Sequence, residues 1–507
     1  MGFPPWPLPA DAASGAASAS RGRSRRPRRT ASRLRPFDPR PPRREPQSPL
    51  DRDSPQEPPS CLRNPISPFR ARQARAAVSE TALNLCGAGP PTHHPERGFA
   101  PKIPRPGDGE YGRRRLGFVG DLLGYRDRFP ILAETTYLIN HSLGAMPAAV
   151  EERVLEYARA WNTRGVRAWE EGWWELPLTV GDQVARIVGA PPGSVSMHQN
   201  VTIAEAIVLS CFEPGGERRR IVYEEGNFPS VRYLYQAAPG FEVVVAPDDE
   251  GVAEAIDERT LLVPVTHVLY KTGEIQDVET IVARAHEQGA LVVLDAYQSA
   301  GTVPLDVTAL GVDFAVGGSV KWLCGGPGAA WLYVRPELAE RLEPALTGWQ
   351  AHARPFAFEP RQDYADGAAR FLTGTPNVPA LYAATAGYDV IEEVGVARIR
   401  ERSLEQTTLL LELLDEHGLE SGTPRDPARR GGTVAVRVAD HESVCSELAA
   451  REIICDSRPD VGLRLGPHFF NIDDELRHAV EQIVELTRPA ARPGAPRTPA
   501  PSARPRA

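Results

Sequence analysis

Two neighbouring stretches decide the fold class: Ala290-Leu-Val-Val-Leu-Asp295 and Asp313-Phe-Ala-Val-Gly-Gly-Ser-Val-Lys321. Each contains a short apolar run, which is typical of a strand that is buried on both faces of a sheet. A carboxylate closes the first run, and a lysine follows the second among glycines and apolar residues. Chemically distinctive side chains therefore follow two consecutive predicted strands.

The surrounding chain alternates between strand-like and helix-like segments. The predicted strands are Arg220–Tyr223, Phe241–Val245, Leu261–Val265, Ala290–Leu294 and Asp313–Val316. The predicted helices are Ala148–Thr163, Leu176–Val188, Ile203–Cys211 and Val278–Gln288. This alternation predicts an α/β fold with a mainly parallel sheet, in which ligands bind at the carboxyl ends of the strands.

Asp295 and Lys321 have a structural explanation as well as a functional one. A buried carboxylate needs a partner, which a helix cap or an ion pair supplies as readily as a ligand does. A lysine in apolar surroundings has a lowered pKa, which suits imine formation. Together the two residues match what pyridoxal phosphate requires, namely an amine for its aldehyde and a carboxylate for its ring nitrogen. Asn200-Val201-Thr202 opens a predicted helix and adds a candidate phosphate site.

Composition separates a basic, proline-rich leader from an acidic body. Residues 1–106 hold 22 of the 50 prolines. Their net charge is about +11 and that of residues 488–507 is about +5, which leaves about −24 for the stretch between them. The acidic body argues against nucleic-acid binding. The leader and the tail are predicted to be disordered, and the leader is interpreted as an unstructured extension, a transit peptide or the result of a translation start placed too early.

The six cysteines are scattered along the chain, which predicts a reducing, cytoplasmic setting rather than a disulfide framework. No apolar run is long enough to span a membrane. No group of Cys and His residues has the spacing of metal ligands, so no metal site is predicted. Cys324 and Cys445 remain open as thiol nucleophiles or as small buried apolar residues.

Six further motifs follow one another along the chain. They are Tyr137-Leu-Ile-Asn-His-Ser-Leu-Gly144, Gly172-Trp-Trp-Glu-Leu-Pro177, Phe228-Pro-Ser230, Gly348-Trp-Gln-Ala-His352, Phe371-Leu-Thr-Gly-Thr-Pro376 and Leu463-Arg464-Leu-Gly-Pro-His468. With the two opening stretches, these motifs resemble the class V aminotransferase superfamily of pyridoxal phosphate enzymes. Within that superfamily they are most similar to the kynureninases. The resemblance extends from about Tyr137 to Leu486.

The resemblance implies the architecture of fold-type I pyridoxal phosphate enzymes, which is the aspartate aminotransferase-like fold. A large cofactor-binding domain would span 175–375. A smaller α+β domain would combine 107–174 with 376–487. The resemblance also implies a homodimer whose active sites lie at the subunit interface, and an amino acid as the small-molecule substrate.

The resemblance also implies site residues. Lys321 would form the imine with the cofactor and move protons, and Asp295 would pair with the ring nitrogen. The other cofactor contacts would be Val201, Thr202, Phe228, Gln298, Ser319, Trp349 and Thr375, with Trp349 and Thr375 reaching the phosphate from the partner subunit. The substrate contacts would be Arg464, which pairs with the carboxylate, and Asn140, Ser142 and His352, which line the pocket.

Three positions depart from the kynureninase pattern: Val320 stands for Tyr, Val231 for Asp and Gln298 for His. These changes leave the residues needed for imine formation in place, but the identity of the substrate stays open. The first hypothesis is hydrolytic Cβ–Cγ cleavage of a kynurenine-type amino acid, which yields anthranilate and alanine from kynurenine itself. The alternatives are another class V reaction, such as that of an aminotransferase, an epimerase or a desulfurase-like lyase, and a weakly catalytic pyridoxal-binding protein.

Overall fold

The computed structural model describes residues 122–488. The leader at 1–106 lies outside the described residues, as does the tail at 488–507 apart from Arg488. Three sheets occur in the described part. Their strands are β1 (Thr136–Tyr137), β2 (Val195–His198), β3 (Arg220–Glu224), β4 (Glu242–Ala246), β5 (Thr260–Thr266), β6 (Leu291–Asp295), β7 (Phe314–Gly318), β8 (Ala330–Val334), β9 (Val434–Val436), β10 (Ile453–Ile454), β11 (Asp456–Arg458) and β12 (Gly462–Leu465).

The central sheet has seven strands in the order β2-β8-β7-β6-β5-β3-β4. The five strands from β7 to β4 run parallel, and β8 is antiparallel to both of its neighbours. All residues of β7 and β8 are buried. Two apolar clusters include residues of this sheet and of the helices that pack on it. A sheet covered in this way explains why the parallel strands read as continuous apolar runs.

Helices α1 to α11 connect and cover these strands. They are α1 (Ala149–Arg164), α2 (Leu176–Val188), α3 (Val201–Leu209), α4 (Pro229–Gln236), α5 (Asp249–Ala255), α6 (Val278–Glu287), α7 (Pro336–Ala339), α8 (Val378–Val394), α9 (Val396–Glu416), α10 (His441–Ala450) and α11 (Asp473–Thr487). Local signals fix several ends. Asn200 caps α3 by accepting a hydrogen bond from Ile203 N, and Gly189 ends α2 with a φ of 70°.

The register of the central sheet brings the predicted site residues to one edge. Asp295, the last residue of β6, is opposite Thr266 of β5 and Val316 of β7. The segment after β7 continues directly to Lys321. Both predicted catalytic residues therefore lie at the carboxyl edge of neighbouring parallel strands, where ligands of α/β sheets bind.

A smaller antiparallel sheet has the order β11-β12-β9, and it places Asp456 directly opposite Arg464. A parallel pair, β1 with β10, lies next to it along the chain. Three residues after β1, Asn140 N donates to Gly466 O over 3.3 Å, so the segment 140–142 adjoins the end of β12. The predicted division into domains at 175 and 376 stays a prediction.

The sequence located most of the central strands to within a few residues. The strands β2 and β8 were not predicted. In the described range 122–488, no helix combines the length and the apolar character needed to cross a membrane.

Candidate active site

Lys321 lies at the centre of the site, in the turn that follows β7. Its Nζ is 4.3 Å from the centroid of the Tyr297 ring and 5.6 Å from that of Phe228. Burial lowers the pKa of the amine to about 7, even though the nearby Asp295 opposes this shift. A large share of Lys321 is therefore neutral near pH 7, which is the state that can act as a nucleophile or accept a proton.

Asp295 lies beside Lys321 and is 6% exposed. Its Oδ1 accepts a hydrogen bond from Tyr297 N over 2.8 Å, and no residue in 122–488 donates to Oδ2. Burial raises the pKa of this carboxyl, while the Tyr297 N–H and Lys321 act in the opposite direction. A buried carboxylate with one free oxygen fits a protonated ring nitrogen, which would supply the missing donor and a positive charge.

Phe228 supplies the second aromatic ring near the lysine. It immediately precedes α4, whose first residue is Pro229, and 41% of its surface is exposed. Its ring meets Tyr270 edge-on, with the centroids 5.2 Å apart. An aromatic ring held at the lysine and open to solvent fits the predicted stacking on a flat cofactor.

The start of α3 offers hydrogen-bond donors for a phosphate. Asn200 Oδ1 already accepts from Ile203 N at 3.0 Å. Within residues 122–488, the amides of Val201 and Thr202 and the exposed Thr202 hydroxyl have no partner. Such free amides at a helix start suit an anion. Ser319 differs, because its hydroxyl is bonded to Ala329 O and to the Tyr388 hydroxyl. Its predicted phosphate contact stays a prediction.

Trp349 and Thr375, the two residues predicted to act from the partner subunit, both reach the surface of their own chain. Thr375 is exposed and lines a cavity that also includes Gln199 and Ile203. Trp349 is 40% exposed, and its ring contacts Trp174 at a centroid distance of 4.9 Å. Neither position tests the predicted contact with a second subunit.

Arg464 is held in place by three hydrogen bonds. Its Nε and Nη2 donate to the two oxygens of Asp456 over 2.8 and 2.5 Å, and Nη1 donates to Tyr270 O over 2.5 Å. Only 2% of the residue is exposed. Arg464 also contributes to lowering the pKa of Lys321, so its charge lies near the lysine. This position fits the predicted recognition of a substrate carboxylate.

The predicted pocket residues differ in how freely they face a ligand. Asn140 is buried and uses its side chain internally, donating to Gly466 O and accepting from Ala145 N. Ser142 is half-buried, and its hydroxyl has no partner within 122–488. His352 accepts from Arg354 N at Nδ1, which places its ring proton on Nε2, beside Arg361 O.

Gln298 has both ends of its amide engaged by the protein. Its Nε2 donates to His141 O over 3.0 Å, and its Oε1 accepts from Trp322 Nε1 over 3.0 Å. The predicted cofactor contact of Gln298 stays a prediction. In this structure the side chain joins the segment at 140–142 to the residue that follows Lys321.

Sequence reasoning missed several residues that the structure brings to the site. The ring of Tyr297 is nearer to Lys321 Nζ than that of Phe228. Asp456 and Arg458, which begin and end β11, were not among the predicted site residues. One signal was readable for Tyr297, since it follows Asp295 by two residues at the end of a strand.

Gly318 is the residue that makes room for Tyr297. A Cβ at position 318 would lie 2.4 Å from Cζ of the Tyr297 ring. We expect Gly318→Ala to displace this ring and to cost about 1–3 kcal/mol of stability, as overpacking of a core does. Chemical denaturation checks this against Gly422→Ala, where an added Cβ meets no atom within 4 Å. Equal stability of the two variants would contradict the expectation.

Comparison with known proteins identifies the family. The family model "Aminotransferase class-V" matches residues 136–473. A kynureninase from Pseudomonas fluorescens is 35% identical over 358 residues, covering 67% of this chain and 86% of that protein. An uncharacterised aminotransferase, YcbU, from Bacillus subtilis (strain 168) is 33% identical over 369 residues, covering 72% and 97%. The chain belongs to the class V aminotransferase family. Membership in this class V family confirms the predicted superfamily and the cofactor, pyridoxal 5′-phosphate.

Solved structures confirm the fold of this class V protein. A cysteine desulfurase from Thermococcus onnurineus NA1 has a TM-score of 0.63 at 24% identity, covering 72% of this chain and 98% of that chain. A cystine C-S lyase in complex with cysteine persulfide has a TM-score of 0.64 at 20% identity, covering 70% and 99%. The prediction of a fold-type I architecture is therefore correct.

Proposed function

We propose that this class V enzyme is a hydrolase of the kynureninase type, which cleaves the Cβ–Cγ bond of a kynurenine-type amino acid. The observation that carries the proposal is the 35% identity to a kynureninase. The grouping of Lys321, Asp295, Phe228 and Arg464 around one end of the sheet supports it. The three departures at Val320, Val231 and Gln298 leave these four residues intact.

Each residue of the site has a separate role in such a reaction. When bound, pyridoxal phosphate supplies an aldehyde that condenses with amines and a ring that withdraws electrons. Arg464 holds the substrate carboxylate, and Lys321 accepts and returns a proton at Nζ. Asp295 holds a positive charge at the buried end of the site. Burial raises the pKa of the Tyr297 phenol to about 12, so this group stays protonated and can donate a proton beside Lys321.

The pKa of Lys321 predicts how activity depends on pH. The amine accepts a proton only when it is neutral, and its pKa is lowered to about 7, mainly by burial. Activity should therefore rise as the pH increases through about 7, because the inactive ammonium form is lost. The check is kcat measured between pH 5.5 and 9 in buffers of constant ionic strength. A rate that is flat from pH 6 to pH 8 would contradict this role.

The function itself is tested with the full chain loaded with pyridoxal phosphate. L-Kynurenine and 3-hydroxy-L-kynurenine are added separately. The fluorescence of the released anthranilate or 3-hydroxyanthranilate and the amount of alanine are followed. We expect release of both products from at least one of the two substrates. A change in visible absorbance on adding the amino acid, without product, would overturn the hydrolase assignment and lead next to a panel of amino acids.

An aminotransferase is the second candidate, and it is favoured by the 33% identity to YcbU over 97% of that protein. In this case incubation with an amino acid and a 2-oxo acid would exchange the amino group between them. Cys324 gives little support to a desulfurase-like reaction. Burial raises the pKa of the Cys324 thiol to about 12, so little thiolate forms there.

We also propose a homodimer, supported by an exposed aromatic surface. The rings of Trp174, Trp349, Phe356 and Phe358 contact one another, and Phe358 is 76% exposed. Apolar patches of this kind mark interaction sites. Sedimentation of the full chain tests this, and a mass of one subunit would overturn it.

A further inference from the structure

Asp456 is a carboxylate enclosed by donors. Besides the two bonds from Arg464, its Oδ1 lies 3.0 Å from His141 Nε2, and its Oδ2 lies 2.9 Å from Arg458 Nη2. Burial alone would raise the pKa of Asp456, but the bonds from His141 and Arg464 lower it well below its usual range. Asp456 is therefore an anion at every pH at which the enzyme would work.

The hydrogens of Arg464 can be counted against this arrangement. A guanidinium has five N–H groups. Asp456 accepts one N–H from Nε and one from Nη2, and these two form the side-on pair. Tyr270 O accepts one N–H from Nη1. One N–H on Nη1 and one N–H on Nη2 remain without a protein acceptor in residues 122–488. Arg464 thus keeps two N–H donors, one on each terminal nitrogen, which matches the two oxygens of a single carboxylate.

His141 fixes the other side of Asp456 without adding charge. It is 1% exposed, and burial lowers the pKa of its ring to about 4. The neutral ring carries its proton on Nε2, where it donates to Asp456. The bare Nδ1 has no partner within 122–488 and faces Gly466, where an added Cβ would lie 2.2 Å away. The ring is therefore packed in one orientation.

The charged side chains of β11 and β12, taken with the neutral His141, sum to one positive charge. Arg458 and Arg464 contribute two positive charges, Asp456 removes one, and His141 is neutral. We propose that Asp456 is a positioning and specificity residue, which holds the Arg464 side chain so that its two remaining N–H groups serve the substrate, and which limits the site to amino acids with one carboxylate. This inference rests on the proposed binding of a substrate carboxylate by Arg464. It predicts discrimination against amino acids with a second carboxylate.

The test compares two probe amino acids on the cofactor-loaded full chain. L-Phenylalanine has one carboxylate and L-glutamate has two, and visible absorbance gives the dissociation constant of each. We expect L-phenylalanine to bind at least about tenfold more tightly, a factor that corresponds to about 1.4 kcal/mol. In Asp456→Asn the affinity for L-phenylalanine should fall about tenfold and that for L-glutamate should fall less, so the preference shrinks. Asp460→Asn is the matched control, because it removes the same charge from an exposed turn nearby.

Arg458→Gln provides an independent second variant. The Arg458 side chain is 40% exposed, and its replacement lowers the net charge instead of raising it, so the preference for L-phenylalanine should widen. Circular dichroism shows whether each variant is folded. If Asp456→Asn does not fold, the inference is judged on Arg458→Gln. The inference is overturned if the unmodified chain binds both amino acids equally, or if folded Asp456→Asn or folded Arg458→Gln keeps the original ratio of the two dissociation constants.

The outcomes also separate this inference from the proposed function, because binding needs no bond cleavage. A chain that shows the expected ratios but releases no anthranilate overturns the hydrolase and leaves the role of Asp456 standing. If the chain releases anthranilate while Asp456→Asn keeps the original ratio, the hydrolase proposal stands and the role of Asp456 is overturned.

Discussion

Lys321→Ala is expected to lower turnover at least about 10³-fold, because it removes both the amine that holds the cofactor and the group that moves the proton. No other lysine in residues 122–488 can take over, since the second lysine there, Lys271, lies in the loop after β5. The measurement is initial turnover of the best substrate, together with borohydride reduction of the loaded protein. Reduction should fix the cofactor to the peptide that contains Lys321, and mass spectrometry should find no fixed cofactor in the variant.

Lys271→Ala is the matched control for this experiment. It removes the same charge and side chain from a position that forms no hydrogen bond or ion pair within the described chain, so turnover should stay within about twofold. If Lys321→Ala kept full activity, both the catalytic role of Lys321 and the class V chemistry of this site would be wrong.

Asp295→Asn should have the second largest effect, a loss of about 10²-fold to 10³-fold in kcat. Asparagine has nearly the shape of aspartate but no charge, so it cannot hold a protonated ring nitrogen. The bond from Tyr297 N can still be formed, because the amide oxygen replaces Oδ1. We therefore expect the variant to fold and to bind cofactor while its visible spectrum and its kcat change.

Asp306→Asn is the control for the second experiment. Asp306 is exposed and accepts from Ala309 N over 2.8 Å, a bond that asparagine retains. A wild-type rate in Asp295→Asn, measured with saturating cofactor, would show that this carboxylate does not act on the ring. Loss of folding in Asp295→Asn alone would point to a structural ion pair with Lys321 instead.

The parallel strands were predictable because their physical signal is local. A strand such as Leu291–Asp295 is buried on both faces, so nearly every residue in it is apolar and the polar Asp295 at its end stands out. The short strand Val195–His198 gives no such signal. Serine and histidine alternate in it with apolar residues, and its pairing with β8 involves a segment more than 130 residues away. Pairing over such separations is not written in a short window of sequence.

In the candidate site, too, local features could be predicted from the sequence and long-range contacts could not. Lys321 and Asp295 could be identified because each follows a recognisable strand. The hydrogen bonds that hold Arg464 could not be predicted. They involve Asp456, which also bonds His141, and Tyr270, and these three residues lie on separate elements of the chain. Sequence supplied the candidate for the carboxylate-binding arginine, but only the structure shows how many of its donors are already used.

The indole of Trp322, tied to Gln298 next to the lysine, gives this protein an optical reporter of its own. The ring is 1% exposed and follows Lys321 directly in the chain. Tryptophan emission overlaps the near-ultraviolet absorption of pyridoxal compounds, so a cofactor at this lysine would quench the indole by energy transfer. Occupancy of the site can then be followed by fluorescence in a titration with no substrate, and Trp322→Phe identifies the share of the signal that comes from this position.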